Sequence, residues 1–401
     1  MIDPTASQII RIACAPGLAE YLRGEIEGLG HVVERAEPTA VEVAGTLADA
    51  QELNLRLRTA LHVHYLLAEF TCADANELHK ALQTLAWEEL IDPDGYFSVT
   101  STVRTPTITD WKYANLRVKD AIVDRIAARA GRRPDSGPDR ERLVIHLDWQ
   151  DRHARVFMNT SGRKLSDRNY RKLPHSAPMQ ETLAAAVILA TGYDGSQPLV
   201  NPMCGSGTLA IEAALIAGGR LPGLLRSNFG FMHWRGFDPA AWQAQRRVAK
   251  KIRRTGPIAP IIASDHDERA LHAARKNAET AGVHHLIRFE HCDFAASSLP
   301  DQPGIVILNP EYGQRLGELR ALEKTYGAIG DFFKQRCCGW TGYVFTGNRE
   351  LAKKIGLRAS RRMEFRNAKI DCRLLKYEMY AGTRRTNFKP PHPADELRNV
   401  D

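Results

Sequence analysis

Residues 305–308 form an uninterrupted apolar run, Ile-Val-Ile-Leu, that stops at Asn309-Pro310-Glu311-Tyr312-Gly313. A mostly β-branched run without polar alternation is the pattern of a strand buried on both faces, as in a parallel sheet. Asn-Pro then marks the chain leaving the carboxyl end of that strand, where open α/β sheets place their chemistry. The Asn309 side-chain oxygen and the Pro310 carbonyl are two fixed acceptors suited to an exocyclic amine, and Tyr312 offers a flat face on which a base can stack. Taken alone, the same residues also suit an ordinary turn at a strand end.

Other units repeat this strand-to-helix pattern. Residues 198–203 read as a strand, and Cys204-Gly205-Ser206-Gly207-Thr208 opens a helix over 209–217. Small residues at a helix amino terminus admit close backbone approach, and the free N–H groups there favour a carboxylate or phosphate. No Gly-Lys-Ser/Thr follows, which excludes a Walker loop. A strand over 258–263 ends in Ser264-Asp265-His266-Asp267, so Asp265 stands where dinucleotide folds bind a ribose diol and Asp267 caps the next helix. A strand over 286–290 leads to Asp293, either a second acid at the same sheet edge or a solvated loop carboxylate. A helix over 322–336, a strand over 343–346, a helix over 350–355 and β segments around 363–366 and 373–380 complete the pattern. The insertion at 220–255 carries Phe229, Phe231, Trp234, Phe237 and Trp242 at irregular spacing, which reads as local packing more than as a nucleic-acid platform.

The front half reads differently. Residues 9–45 suggest a strand (9–13), a helix with Leu18, Leu22, Ile26 and Leu29 on one face, and strands at 31–35 and 39–43. Residues 47–159 alternate helical and extended patterns without a phosphate loop or an acid–base pair, as expected of a binding module. In its helix at 115–130, Leu116, Ile122, Val123, Ile126, Ala127 and Ala130 share a face that includes Lys119. That lysine either packs its stem and snorkels or contacts a phosphate together with Lys112, Arg117 and Arg132. Residues 160–178 have little periodicity and read as an interdomain linker, whose Arg163, Lys164, Arg168 and Arg171 are either solvated or guide an RNA strand alongside Tyr170.

The 401 residues suggest two or three domains, and the net charge of +8 favours a polyanionic partner such as RNA. No apolar run is long enough for a membrane span and no secretory leader stands out, so a soluble cytoplasmic protein is expected. Seven scattered cysteines without a Cys-x-x-Cys argue against a disulfide framework or a zinc site. The Pro-containing tail from residue 383 reads as disordered.

Together these segments resemble the THUMP-containing RNA guanine-N2 methyltransferases, most of all the bacterial enzymes acting on 23S ribosomal RNA. The resemblance covers residues 9–380. It rests on Cys14-Ala-Pro-Gly-Leu18, Leu116-Arg-Val-Lys-Asp-Ala-Ile122, Glu181-Thr-Leu-Ala-Ala185, Pro202-Met-Cys-Gly-Ser-Gly-Thr208 with Glu212-Ala-Ala214, Asn309-Pro310-x-Tyr312, Phe345-Thr-Gly-Asn348 and Cys372-Arg-Leu-Leu-Lys376. It implies an α/β fold, a Rossmann-like class I methyltransferase domain (179–382) behind an α+β ferredoxin-like segment (1–47) and a THUMP RNA-binding domain (48–159), joined by the 160–178 linker.

The resemblance further implies S-adenosyl-L-methionine as methyl donor, with no metal, and a monomer. The donor would be held by Asn201, Pro202, Cys204, Gly205, Ser206, Gly207, Thr208, Asp265, Asp293 and Asn309, with Asn309, Pro310 and Tyr312 catalytic. Three departures stand out. Asn201 replaces the family's Asp, Glu311 replaces a second Pro, and Ser166-Asp-Arg-Asn-Tyr-Arg171 replaces His-Lys-Arg-Gly-Tyr-Arg. Transfer RNA remains an alternative substrate, and an RNA-binding assembly factor with a decayed methyltransferase site an alternative function.

Overall fold

The computed structural model describes residues 3–108, 110–173, 179–313 and 319–380. The expected tail lies outside them, as do linker residues 174–178. The front half is built on eight strands: β1 (Gln8–Cys14), β2 (Val33–Glu37), β3 (Ala40–Gly45), β4 (Ala60–Thr71), β5 (Tyr96–Arg104), β6 (Asp135–Ser136), β7 (Leu143–Gln150) and β8 (His153–Asn159). They form one sheet in the order β2-β3-β1-β4-β8-β7-β5-β6, antiparallel except where β5 pairs with β6 and β7. Helices α1 (Ala19–Gly28), α2 (Leu47–Arg56), α3 (Ala75–Leu82), α4 (Trp87–Leu90) and α5 (Trp111–Ala130) join these strands.

Alternation along the strands sorts the two faces. Ile10, Ile12, Val63, Tyr65, Ile145 and Leu147 belong to the same apolar core as Leu22 and Ile26 of α1 and Val118, Ile122 and Ile126 of α5. Leu116, expected on the buried face of α5, is 45% exposed. The intervening strand residues Arg11, His64 and His146 are polar yet buried or half-buried. Arg155 bridges Glu42 (2.8 Å) and Asp148 (2.9 Å), and Arg11 pairs with Glu37 at 2.7 Å.

On that polar face, His64 lies between His62 and His146, with ring centroids 5.6 and 4.4 Å away, and neither His64 ring nitrogen has a partner among the described residues. Burial pushes all three imidazoles below their ordinary range, His62 to about 3 and His146 to about 4. The unfolded chain takes up these protons below about pH 6.5, whereas the folded chain refuses them until much lower pH. Stability is therefore intact above pH 6.5 and falls as pH drops toward 4. Urea midpoints at pH 7.5 and 5.0 should differ less in His64→Phe than in the unmodified protein; equal differences would remove the imidazole from the account.

The back half holds β9 (Leu199–Pro202), β10 (Ile261–Asp265), β11 (Ile287–His291), β12 (Ile305–Leu308), β13 (Thr341–Thr346), β14 (Arg361–Asn367) and β15 (Ile370–Glu378). Their order is β11-β10-β9-β12-β13-β15-β14, with the first five parallel and β15 antiparallel to both neighbours. The helices are α6 (Glu181–Ala190), α7 (Thr208–Ala217), α8 (Pro239–Lys251), α9 (Glu268–Thr280), α10 (Leu319–Arg336) and α11 (Arg349–Lys354). Ile305 and Ile307 join the core shared with α6 and α7, whereas Val306 and Leu308 join a second core with Tyr326, Ile329 and Phe333 of α10. Burial on both faces accounts for the unbroken apolar run.

Residues 160–173 are not a solvated linker. Thr160 and Ser161 are fully buried, and Asn54 of α2 donates to Thr160 Oγ1 at 2.8 Å while accepting from Ser161 Oγ at 2.6 Å. Arg226 donates to the carbonyls of Lys164 and Ser161 at 2.6 and 3.0 Å. Arg168, expected on an RNA path, is 1% exposed; it donates to the Arg58 carbonyl and pairs with Glu212 of α7 at 3.4 Å. Tyr170 donates to the same Glu212 carboxylate at 3.0 Å. The segment is a packed strut, ordered by hydrogen bonds rather than by an apolar stripe. The two halves also meet where the Tyr21 ring of α1 stacks on Phe365 of β14 at 5.4 Å. A second approach forces a glycine, because a side chain at Gly223 would lie 2.4 Å from the Asn54 carbonyl oxygen.

Candidate functional site

The strand order reverses between β9 and β12, and their carboxyl ends form the crevice that such a switch point creates. Pairing between them covers only Leu199 with Ile305 and Val200 with Val306. Beyond that register, the Asn201 side chain spans the gap, donating from Nδ2 to the Ile307 carbonyl at 2.8 Å. An aspartate could not make that donation unless protonated. Asn201 is fully buried, and its Oδ1 has no partner among the described residues.

Past Pro202 the chain turns sharply. Met203 sits at φ +58°, a left-handed conformation that costs a non-glycine residue on the order of 1 kcal/mol. Gly205 and Gly207 follow at φ +55° and +84°. No atom lies within 4 Å of a side chain built on Gly205, so its backbone faces open space, whereas one on Gly207 would lie 2.9 Å from the Ala274 side chain of α9. Gly207 precedes α7 without a side-chain cap, leaving the first N–H groups of that helix free for a ligand. Asp265 ends β10 with Oδ2 accepting from Gly205 N at 2.8 Å and Oδ1 from Asp267 N at 2.9 Å. Asp293 is exposed and accepts from Ala295 N at 2.9 Å.

At the end of β12, Asn309 Oδ1 accepts the Tyr312 hydroxyl at 2.7 Å, and Pro310 is buried. Asn348 Nδ2 donates to the Tyr312 carbonyl at 3.0 Å, and Tyr326 donates to the Glu311 carbonyl at 3.3 Å. The loop is thus held from the N-cap of α11 and from α10. Sequence reasoning missed Tyr326; Asn348 was signalled only by its Phe-Thr-Gly-Asn string. The Tyr312 ring is half-buried, with Phe345 tilted against it at 6.3 Å, and burial pushes its hydroxyl pKa up. Glu311 is exposed.

The expected RNA contacts divide by their partners. Arg117 donates to Asn76 Oδ1 at 3.2 Å, Lys119 lies 3.7 Å from Asp120, and Arg132 pairs with Asp94 at 2.6 Å. Arg163 pairs with Glu141 at 2.8 Å and Arg171 with Glu181 at 3.0 Å. Lys112 and Lys164 are exposed, and no ion pair engages either among the described residues. Trp111 (54%), Tyr113 (46%) and Leu116 (45%) are exposed near Lys112 in the first turns of α5, a feature that the sequence reading did not isolate. Phe229, Phe231 and Trp242, by contrast, pack on one another in the interior, in keeping with local packing.

This sheet order, with a glycine loop after the first strand, an acid after the second and Asn-Pro after the fourth, defines a class I S-adenosylmethionine-dependent methyltransferase. The chain belongs to the RMKL-like methyltransferase family: that family's profile matches residues 168–376, a THUMP domain matches 72–159 and an RlmL ferredoxin-like domain 10–64. A "Ribosomal RNA large subunit methyltransferase K/L" of Syntrophotalea carbinolica is 37% identical over 380 residues, covering 92% of this chain and 53% of that protein. The chain spans about half the length of several such relatives. A candidate RNA methyltransferase of Synechocystis sp., slr0064, is 34% identical over 91% of this chain and 95% of its own. Among solved structures, a candidate methyltransferase, SMU.472, complexed with S-adenosylhomocysteine, superposes with a TM-score of 0.83 at 26% identity, over 94% of this chain and 99% of that one. No helix among the described residues is long and apolar enough to cross a membrane.

Proposed function

We propose that this chain methylates the exocyclic N2 of a guanine in large-subunit ribosomal RNA. The observation that carries the reading is the adjacency of two strand ends, β9 with its open glycine loop and β12 with its Asn-Pro acceptors. The names of the relatives support ribosomal RNA. The exposed Trp111, Tyr113 and Leu116 near Lys112 support an RNA-facing front half, since exposed aromatics and cations suit unpaired bases and phosphates. Such a substrate places the activity in the cytoplasm.

The donor set fits S-adenosylmethionine. The open backbone of Gly205, the uncapped start of α7 and the orphaned Asn201 oxygen suit its methionine part, and Asp265 suits its ribose. Pro202, Cys204, Ser206 and Thr208 line the same turn, and Asp293 stands at the end of β11 toward the adenine. When bound, the sulfonium would supply an electrophilic methyl group and leave as the thioether, and the nitrogen that receives the methyl would release one proton to solvent. Asn309 and Pro310 accept the two N–H bonds of the amine and so aim its nitrogen density at that methyl. One lone pair of Asn309 Oδ1 serves the Tyr312 hydroxyl and the other remains for the substrate.

Tyr312 therefore fixes Asn309 as well as meeting the base. Tyr312→Phe should lower kcat by about ten-fold, the scale of one lost hydrogen bond. Tyr312→Ala should add a stacking loss of about 1–3 kcal/mol. Equal rates in the two variants, measured with labelled donor, would leave the ring without a role. The function itself is tested by nucleoside mass spectrometry of ribosomal RNA from cells lacking the protein. Loss of one N2-methylguanosine is expected; an unchanged ribosomal profile, or a loss confined to transfer RNA, overturns the reading.

A further inference from the structure

We infer that Asn277 is a positioning residue that couples the interdomain strut to the cofactor loop. Asn277 lies on α9, is 1% exposed, and spends its whole amide on two other segments. Its Oδ1 accepts from Lys172 N at 2.9 Å and from Leu173 N at 3.2 Å. Its Nδ2 donates to the Leu173 carbonyl at 3.2 Å and to the Ser206 carbonyl at 3.2 Å. Ser206 is the middle residue of Gly205-Ser206-Gly207, so this bond sets the peptide plane from which the loop presents itself to the donor. The same helix supports the loop from below through Ala274 under Gly207.

Both amide groups are needed for this arrangement, which is why a buried asparagine fits where an apolar residue or a carboxylate does not. The strut enters it already fixed. Arg168 and Tyr170 hold Glu212 of α7, the helix that the loop opens, and Arg168 also holds the Arg58 carbonyl of the front half. A displacement of residues 170–173 therefore reaches Ser206 directly through Asn277, beside the route through Glu212 to α7. RNA seated on the front half and donor seated in the loop would then change each other's affinity by the same factor, as linkage requires. The inference rests on the donor seat assigned above, and its RNA consequence on the proposed function.

The test is calorimetry of S-adenosylhomocysteine binding to the full chain, together with unfolding midpoints without ligand. Asn277→Ala should weaken binding about ten-fold, the scale of one or two lost hydrogen bonds. Asn277→Asp keeps the acceptors for residues 172 and 173 but sets carboxylate against the Ser206 carbonyl; it should weaken binding at least as much, and it serves if the alanine variant does not fold. Tyr170→Phe, which loosens the strut and its hold on Glu212, should weaken binding by a few-fold on its own and by clearly less in the Asn277→Ala background. Full additivity of the two substitutions, or unchanged affinity in Asn277→Ala and Asn277→Asp, overturns the coupling while leaving the donor seat intact. Failure of the unmodified protein to bind would overturn both.

Discussion

Replacing Asn309 with alanine is expected to abolish methyl transfer, a fall on the order of a thousand-fold or more in kcat, while the affinity for S-adenosylhomocysteine, which Asn309 shares with the glycine loop and Asp265, changes far less. Asn309 provides one of the two acceptors at the end of β12, and its other partner is the Tyr312 hydroxyl at 2.7 Å. Without it the amine nitrogen is not oriented and its lone pair stays delocalised into the ring, and the Tyr312 ring loses its anchor. The glycine loop, Asn201 and Asp265 lie on β9 and β10 and are untouched. Rates with labelled donor and calorimetry on the same preparation separate the two effects. Substantial activity in the variant would remove Asn309 from the chemistry.

The second large effect is on stability. Glu212→Ala should cost about 3–5 kcal/mol, because it strands a buried guanidinium rather than merely deleting a contact. Glu212 is fully buried on α7, pairs with Arg168 at 3.4 Å and accepts from Tyr170 at 3.0 Å. Burial pushes its carboxyl pKa up, and the nearby Arg168 and Arg58 guanidiniums oppose that push. Glu212→Gln keeps an acceptor for Tyr170 and should cost less than the alanine. Urea unfolding of both variants decides the matter: a negligible loss in Glu212→Gln beside a large one in Glu212→Ala would mean that the charge is irrelevant and only packing was removed.

The same residues show what the sequence could and could not reveal. Segments whose order comes from apolar burial were legible, as with residues 305–308, whose two faces enter two cores. The strand expected over 258–263 starts instead at Ile261 and runs through Asp265, since Pro260 has no N–H to contribute to a ladder. The strand expected over 31–35 lies at Val33–Glu37, where exposed, mixed residues give little periodicity to fix its ends. The strut was illegible because its order comes from side chains reaching distant partners. Nothing local to Arg168 announces Glu212, and nothing local to Lys172 announces Asn277.

In the site, residue types and their order along the chain were readable, but their mutual hydrogen bonds were not. Asn201 illustrates this. In the sequence it is only a departure from the family's aspartate, whereas in the fold its amide N–H bridges β9 to β12 where backbone pairing ends. Tyr312 is similar: its aromatic character was evident, but its bond to Asn309 required the turn at 309–313 to be seen.

The central claim is that the methyl donor sits across the ends of β9 and β12, with its transferable group toward Asn309. A crystal structure of the chain with S-adenosylhomocysteine measures this directly. The account predicts the amino-acid part against Gly205 and Ser206, the ribose at Asp265 and the sulfur facing Asn309 Oδ1 and the Pro310 carbonyl. A ligand seated elsewhere, or a sulfur facing away from Asn309, would contradict it.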